Sequence, residues 1–263
     1  MKLSFSNIAW KAEQDEAVYS LLKDYGFSGL EIAPTRIFPD SPYDRITEAA
    51  EWAKRLKSRY SLEVSSMQSI WRGRTENLFG SRDERQALID YTRKAIDFAE
   101  TIGCHNLVFG CPKNRVAGRD TSPELIKDIF SRIGDYAYEH NTVFSLEAVS
   151  ASYGTNFATT TAEALRIVRD VGNSGFRLNL DLGTMIGSGE SADNLKGYVQ
   201  SINHVHISEP GLREIQPRDL HAAVLSVLGS EGYDGYVSVE MGTADSAAVI
   251  GRVCGYLRDI IHR

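Results

Sequence analysis

Four short runs in the second half of the chain end on residues that could hold a metal ion: Ser145-Leu146-Glu147, Asn179-Leu180-Asp181, His204-Val205-His206 and Val239-Glu240. Each run is short and β-rich, so its last polar residue falls where a strand gives way to a loop. A carboxylate buried at such a place is strongly disfavoured unless it is paired or bound to a cation. Any one strand-end acid could be a loop cap or a surface residue, but two Glu, one Asp and one His on four consecutive runs imply a shared partner. Three hard oxygen donors and one imidazole suit Mn²⁺, Mg²⁺, Co²⁺ or Zn²⁺, with coordination to spare for substrate oxygens. We therefore read Glu147, Asp181, His206 and Glu240 as ligands of one divalent metal ion. His204 is read as a structural residue turned to the other face of its strand.

The elements that must position these residues alternate along the whole chain. Strand candidates fall at 2–5, 28–32, 62–66, 105–109, 142–147, 176–181, 202–207 and 235–240. Between them the apolar residues recur at helical spacing, as in Leu88, Tyr91, Ala95, Ala99 and Ile102, or Leu125, Ile129, Ile133 and Tyr136. Thr121-Ser122-Pro123-Glu124 reads as a helix start, and Gly26, Gly103 and Gly232 as helix stops. Gly26-Phe27-Ser28-Gly29 and Gly232-Tyr233-Asp234-Gly235 resemble each other as turns into a following strand. Alternating β and α units predict a parallel sheet, and eight of them favour closure over an open sheet. The position after the first strand reads Asn7-Ile8-Ala9-Trp10, with no GxGxxG, and there is no GxxxxGK[ST]. No linker or low-complexity tract divides the chain. The fold expected is α/β, a single-domain (β/α)₈ TIM barrel over residues 1–263, whose chemistry sits where strands end.

Composition narrows the partners. The 263 residues carry 29 Lys+Arg against 35 Asp+Glu, a net charge of −6. That balance gives no general attraction for nucleic-acid phosphate or anionic lipid, so neither nucleic acid nor membrane is expected as a partner. No stretch approaches the roughly 18 apolar residues of a membrane span, and MKLSFSNIAWKAEQDE lacks the pattern of a secretion signal, so a cytoplasmic location is expected. Cys104, Cys111 and Cys254 form no CxxC pair and read as reduced thiols, with Cys111 taken as packing in preference to a nucleophile.

Six strings carry a resemblance across nearly the whole chain: Ser6-Asn7-Ile8-Ala9-Trp10, Gly29-Leu30-Glu31-Ile32, Asn77-Leu78-Phe79-Gly80, Phe109-Gly110-Cys111-Pro112-Lys113-Asn114-Arg115, Tyr153-Gly154-Thr155-Asn156-Phe157 and His206-Ile207-Ser208-Glu209-Pro210. In this order, with the four strand-end ligands, the sequence resembles the xylose isomerase-like TIM-barrel superfamily, the sugar phosphate isomerase/epimerase group. The resemblance implies a metal-dependent isomerase or epimerase of a sugar or sugar-derived α-hydroxycarbonyl compound, working through a metal-stabilised enediolate. Glu147 and Glu240 would be acid and base on opposite faces of the substrate.

Two positions depart from the epimerase pattern. Thr184 stands where a histidine usually follows the metal aspartate, and Tyr153 where a glutamate usually follows the first metal glutamate. Substrate-binding candidates are Glu31, Gln68, Arg115, Tyr153, Asn156 and Arg213. Lys113, Arg72 and Arg74 are further loop cations that could clamp a carboxylate or phosphate, each weighed against plain solvation. Trp10 and Trp71 could wall a sugar ring, or simply pack. A small carbohydrate is the expected partner, and a homo-oligomer is compatible with the reading. The nearer rival is an inosose-type dehydratase, which shares the proton abstraction and then expels hydroxyl. A more distant one is an endonuclease IV-like phosphodiesterase. For it, Asp219 and His221 stand at the spacing of later zinc ligands, though Gln216-Pro217-Arg218-Asp219 also reads as a helix start.

Overall fold

A computed structural model describes residues 1–261. In it the β-rich runs become β1 (Lys2–Ser6), β2 (Gly29–Ile32), β3 (Glu63–Met67), β4 (Leu107–Phe109), β5 (Phe144–Glu147), β6 (Phe176–Asp181), β7 (Ile202–Ser208) and β8 (Tyr236–Glu240). They pair in chain order, all parallel, and β1 also pairs β8, so the sheet closes into an eight-stranded barrel. The expected strand positions hold to within two residues at every start and one at every end. The TIM barrel expected from the alternation is therefore the fold observed.

Helices cross between the strands: α1 (Asp15–Asp24), α2 (Pro34–Ile37), α3 (Ile46–Tyr60), α4 (Arg82–Ile102), α5 (Pro123–Glu139), α6 (Thr161–Val171), α7 (Leu182–Ser188), α8 (Asp219–Ser230) and α9 (Ala247–Ile261). Their boundaries follow local chemistry. Ser81 caps α4, accepting from the Glu84 N–H, while the Glu84 carboxylate returns to the Ser81 N–H. Ser122 caps α5 ahead of Pro123, as the sequence predicts. The two similar turns prove to be one device: Gly26 and Gly232 both take φ +79, and Phe27 and Tyr233 each return an N–H to a carbonyl five residues back, at 2.9 Å.

The apolar core lies between sheet and helices. Leu88, Ala95, Ala99 and Ile102 of α4 are buried there, and Phe130 of α5 stacks on Phe176 of β6 with centroids 4.5 Å apart. The inside of the barrel is instead polar. Ser4 bonds Ser65 at 2.6 Å, and Asn106 donates to Ser66 at 2.9 Å. Small hydrogen-bonded side chains thus fill the lower barrel and leave its upper end for larger functional groups. Among the described residues, no helix is long and apolar enough to cross a membrane.

Candidate active site

Side chains alternate along a strand, so residues two apart share a face. The inward positions are therefore 145 and 147, 179 and 181, 204, 206 and 208, and 238 and 240. At the upper end, one ligand atom from each of Glu147, Asp181, His206 and Glu240 lies within 4.8 Å of the others, all four residues buried. His206 Nδ1 faces Glu147 Oε1 at 2.9 Å and Glu240 Oε2 at 3.3 Å. The same alternation corrects the expectation for His204, which shares the inward face with His206 and approaches Glu31 Oε2 at 3.2 Å.

Each member of the tetrad is held from outside it. Asn179 donates to Glu147 Oε1 at 2.8 Å, and Gln68 donates to Glu240 Oε1 at 2.9 Å and to Ser6 Oγ at 3.0 Å. Asp181 accepts from the Thr184 N–H at 2.6 Å, capping α7, and from the Ser208 hydroxyl. His206 Nε2 meets Glu31 Oε2 at 2.7 Å. Gly110 makes room for Glu147: a Cβ there would stand 2.0 Å from Glu147 Oε2.

The electrostatics are those of negative charge packed out of water. Burial pushes Glu147, Asp181 and Glu240 above the usual carboxylate range, against the pull of His206. Burial alone would also raise Glu31, but His206 and His204 reverse this and hold it well below that range. For His206 burial is again the largest single influence and lowers it, yet Glu31, Glu240 and Glu147 together outweigh it and raise the imidazole well above its ordinary value. Three carboxylates thus share the one imidazole at the centre, and negative charge is in excess there.

Above the tetrad opens a cavity of about 650 Å³, lined by Glu147, Asp181 and Glu240 and, among the expected substrate binders, by Gln68 and Tyr153. The Tyr153 hydroxyl accepts from the Gly211 N–H at 3.0 Å, joining the loop after β5 to that after β7. The other four expected binders sit elsewhere. Glu31 is fully buried beneath His206. Arg115 is fully buried too, donating to the Glu147 carbonyl at 2.7 Å with its guanidinium over the Phe109 ring. Asn156 clamps a neighbouring loop, accepting from the Ala117 N–H at 2.7 Å and donating to the Ala117 carbonyl at 3.0 Å. Arg213 borders a separate shallow depression with Glu209 and Arg218.

Trp10 and Trp71 are both buried in the core and do not line the cavity. Cys111 lines it, and burial pushes its thiol up to about 11, which keeps it protonated and poorly nucleophilic. His221 bonds the Tyr256 hydroxyl at 2.9 Å, and Asp219 opens α8. Neither joins the two clusters of potential ligands found among the described residues, the tetrad and the group Glu31, His204 and His206. Asn179, Ser208 and Gly110 stand in the sequence only within longer strings, with no role assigned to them at this site. The first two stand two residues from a ligand on the same strand face, a signal that strand period alone offers.

A family model described as the xylose isomerase-like TIM barrel matches residues 19–260. No curated protein matches the sequence. Solved structures resemble the chain nearly end to end at low identity. A 3-keto-D-glucoside 4-epimerase, YcjR, from E. coli superposes with TM-score 0.75 at 19% identity, covering 98% of this chain and 99% of that one. The IolI protein, solved with a bound zinc atom, gives 0.72 at 18%, covering 99% and 98%. A probable 3-DHS dehydratase, AsbF, involved in petrobactin synthesis in Bacillus anthracis, gives 0.69 at 16%, covering 98% of each. Identities this low speak to a shared fold.

Proposed function

The chain belongs to the xylose isomerase-like TIM-barrel family, and from that footing we propose that it is a divalent-metal-dependent isomerase or epimerase of a sugar or sugar-derived α-hydroxycarbonyl compound. The observation that carries the reading is the convergence of three carboxylates and one imidazole nitrogen beneath the mouth cavity. The donor set fits a divalent cation. Burial raises all three carboxylates, and a divalent positive charge among them favours their ionised form. His206 presents Nδ1 to that centre while Nε2, facing Glu31, is free to carry the proton, which is how a partner behind the ring orients a metal-binding histidine.

When bound, the cation supplies Lewis-acid stabilisation of negative charge on the substrate oxygens. Glu147 and Glu240 both line the cavity, so one can take a proton from the carbon beside the carbonyl and the other return one. Return to the opposite face of the same carbon gives an epimer, and return to the adjacent carbon, with the hydroxyl proton passing to the neighbouring oxygen, gives an aldose–ketose isomer. Gln68 and Asn179 each donate to one oxygen of a glutamate, which fixes where the proton is held.

The test is proton exchange. Metal analysis should find one divalent ion per chain, and a panel of keto-sugars, keto-acids and inososes in D₂O should show metal-dependent exchange of one substrate C–H proton. Glu240→Gln should abolish that exchange while substrate binding stays measurable. No exchange across the panel with metal bound would reject the reading, and a product lighter by one water would replace it with the dehydratase.

A further inference from the structure

The mouth cavity says more about its occupant than the tetrad does. Its lining, among the described residues, contains no Lys or Arg. The charged side chains that line it are Glu147, Asp181, Glu240 and Glu209, and Glu209 is held by two bonds from Arg218, at 2.6 and 2.5 Å. The cations expected to clamp an anion lie apart. Arg115 is sealed under Glu147, Arg213 borders its own depression, Arg72 and Arg74 line another with Tyr43 and Lys94, and Lys113 is outside the lining. One divalent cation among three carboxylates, with Glu31 behind them, leaves an excess of negative charge. A phosphate or carboxylate entering that field finds no Lys or Arg side chain in the lining to offset the repulsion.

Away from the carboxylates the lining includes the apolar Pro112, Val149, Tyr153, Pro210 and Leu212, interspersed with Ser69, Ser150 and Ser152. Tyr153 and Leu212 are 48% and 40% exposed, two of only six large hydrophobic residues left so open among the described residues. Both are on the same rim. Leu212 is held at φ +53, a left-handed backbone that a bulky side chain disfavours. The turn is fixed by its N–H to Glu209 O at 2.9 Å and by the Gly242 N–H to its own carbonyl at 2.7 Å. A strained residue holding an apolar side chain over a cavity is a feature to be explained by what binds there.

Size agrees. A cavity of about 650 Å³ has room for about twenty waters at roughly 30 Å³ each. A hexose, with twelve heavy atoms no larger than a water, fills at most about half of that. Resting on the metal reading for the reacting end, we propose that the substrate is uncharged and carries, beyond its hydroxycarbonyl, a ring or apolar substituent that packs on Tyr153 and Leu212, as a glycoside would, in place of a phosphate or carboxylate.

Three α-hydroxyketones test this by calorimetry on the Mn²⁺-loaded protein: hydroxyacetone, dihydroxyacetone phosphate and 2-hydroxyacetophenone. The phenyl compound should bind at least about tenfold more tightly than either of the others, since burying a ring on an apolar wall is worth that much. Leu212→Asn, which its left-handed backbone accepts, should bring the phenyl-to-methyl ratio close to one. Tightest binding of the phosphate, equal binding of phenyl and methyl, or a preference that survives both Leu212→Asn and Tyr153→Ala would each overturn the proposal. Phenyl β-D-glucoside against glucose, on metal-free protein, separates the two readings. If no hydroxyketone binds but the phenyl glucoside outbinds glucose tenfold, the metal reading fails and the apolar shelf stands. If neither pair favours the ring, the shelf falls.

Discussion

The two halves of the barrel do different work. Strands β5 to β8 end in Glu147, Asp181, Glu240 and, one inward position lower, His206, which together face the cavity or the centre beneath it. Strands β1 to β4 contribute none of these, yet each half-turn of that side reaches across. Ser6 at the end of β1 accepts from Gln68, and Gln68 after β3 donates to Glu240. Glu31 of β2 backs His206, and Arg115 beyond β4 grips the Glu147 carbonyl. One half presents the donor atoms, and the other adds its contacts to those of Asn179, Thr184 and Ser208 in fixing their orientation. The lesson is that a closed barrel allows a site on four adjacent strands to be braced through its interior by the four opposite ones, which an open sheet cannot do.

If the division is real, damage to the presenting half should exceed damage to the bracing half. The largest effect is expected for His206→Ala, which removes a donor atom and leaves Glu31 buried with one partner fewer. Metal affinity, by competition with a fluorescent chelator, should fall more than about 100-fold. Stability in urea should fall by about 3–5 kcal/mol, the cost of breaking a buried charged pair. Retained metal binding would remove His206 from the centre. Next comes Glu31→Gln, which keeps shape and loses charge behind the ring. An outer partner of this kind typically changes metal affinity by about 10–100-fold. A loss as large as that of His206→Ala would mean that the two halves are not distinct in role.

Acidity sharpens the same contrast. Glu147, Asp181 and Glu240 are raised by burial, and His206 is raised by the acids around it despite burial. The folded metal-free protein therefore binds more protons than the unfolded chain above the ordinary carboxylate range, and its stability should fall as pH rises through that window. Glu31 is lowered, so its contribution is complete above that range and does not offset the trend. Metal replaces the protons, so the rise in Tm on adding Mn²⁺ should grow as pH rises above the ordinary carboxylate range, by several degrees in scanning calorimetry. A metal-induced rise that is flat with pH would place the ion elsewhere. His221, which burial lowers to about 4, works in the opposite sense. Its stabilisation is present above the ordinary histidine value and is lost as pH falls towards 4, so His221→Phe should flatten the acid limb below about pH 6.5 without changing the metal effect.

The presenting half was the more legible in sequence. Its four candidate ligands fall at or near strand ends, and strand ends can be read from β-rich runs bounded by turn residues, so position locates Glu147, Asp181, His206 and Glu240 without tertiary knowledge. The bracing half cannot be read that way. Glu31 and Gln68 stand at or just past a strand end and Arg115 in the loop after β4, places from which sequence position alone points a side chain at substrate. Whether such a side chain turns up to the mouth or down into the barrel depends on partners 32 to 175 residues away, such as Glu147 for Arg115 and His206 for Glu31. Loop residues failed to be placed for the same reason: Asn156 is spent on the Ala117 backbone, 39 residues back. His204 is different, since the strand period alone assigns it to the face of His206.

The smallest effect in the series is expected at Gln68, and it is the most discriminating. Gln68 lines the cavity and also joins β1 to β8, donating through one nitrogen to Ser6 and to Glu240. Gln68→Met keeps the length and apolar stem of the side chain and removes both bonds. One hydrogen bond is worth about 1 kcal/mol net, so metal affinity should fall only about fivefold. If Gln68 acts purely as a brace on Glu240, proton exchange should fall by that same factor at saturating substrate, with KM unchanged. If it also touches substrate, KM should rise while metal affinity follows the smaller loss. The split between KM and kcat at this one residue therefore measures how far the bracing half of the barrel reaches into the reaction itself.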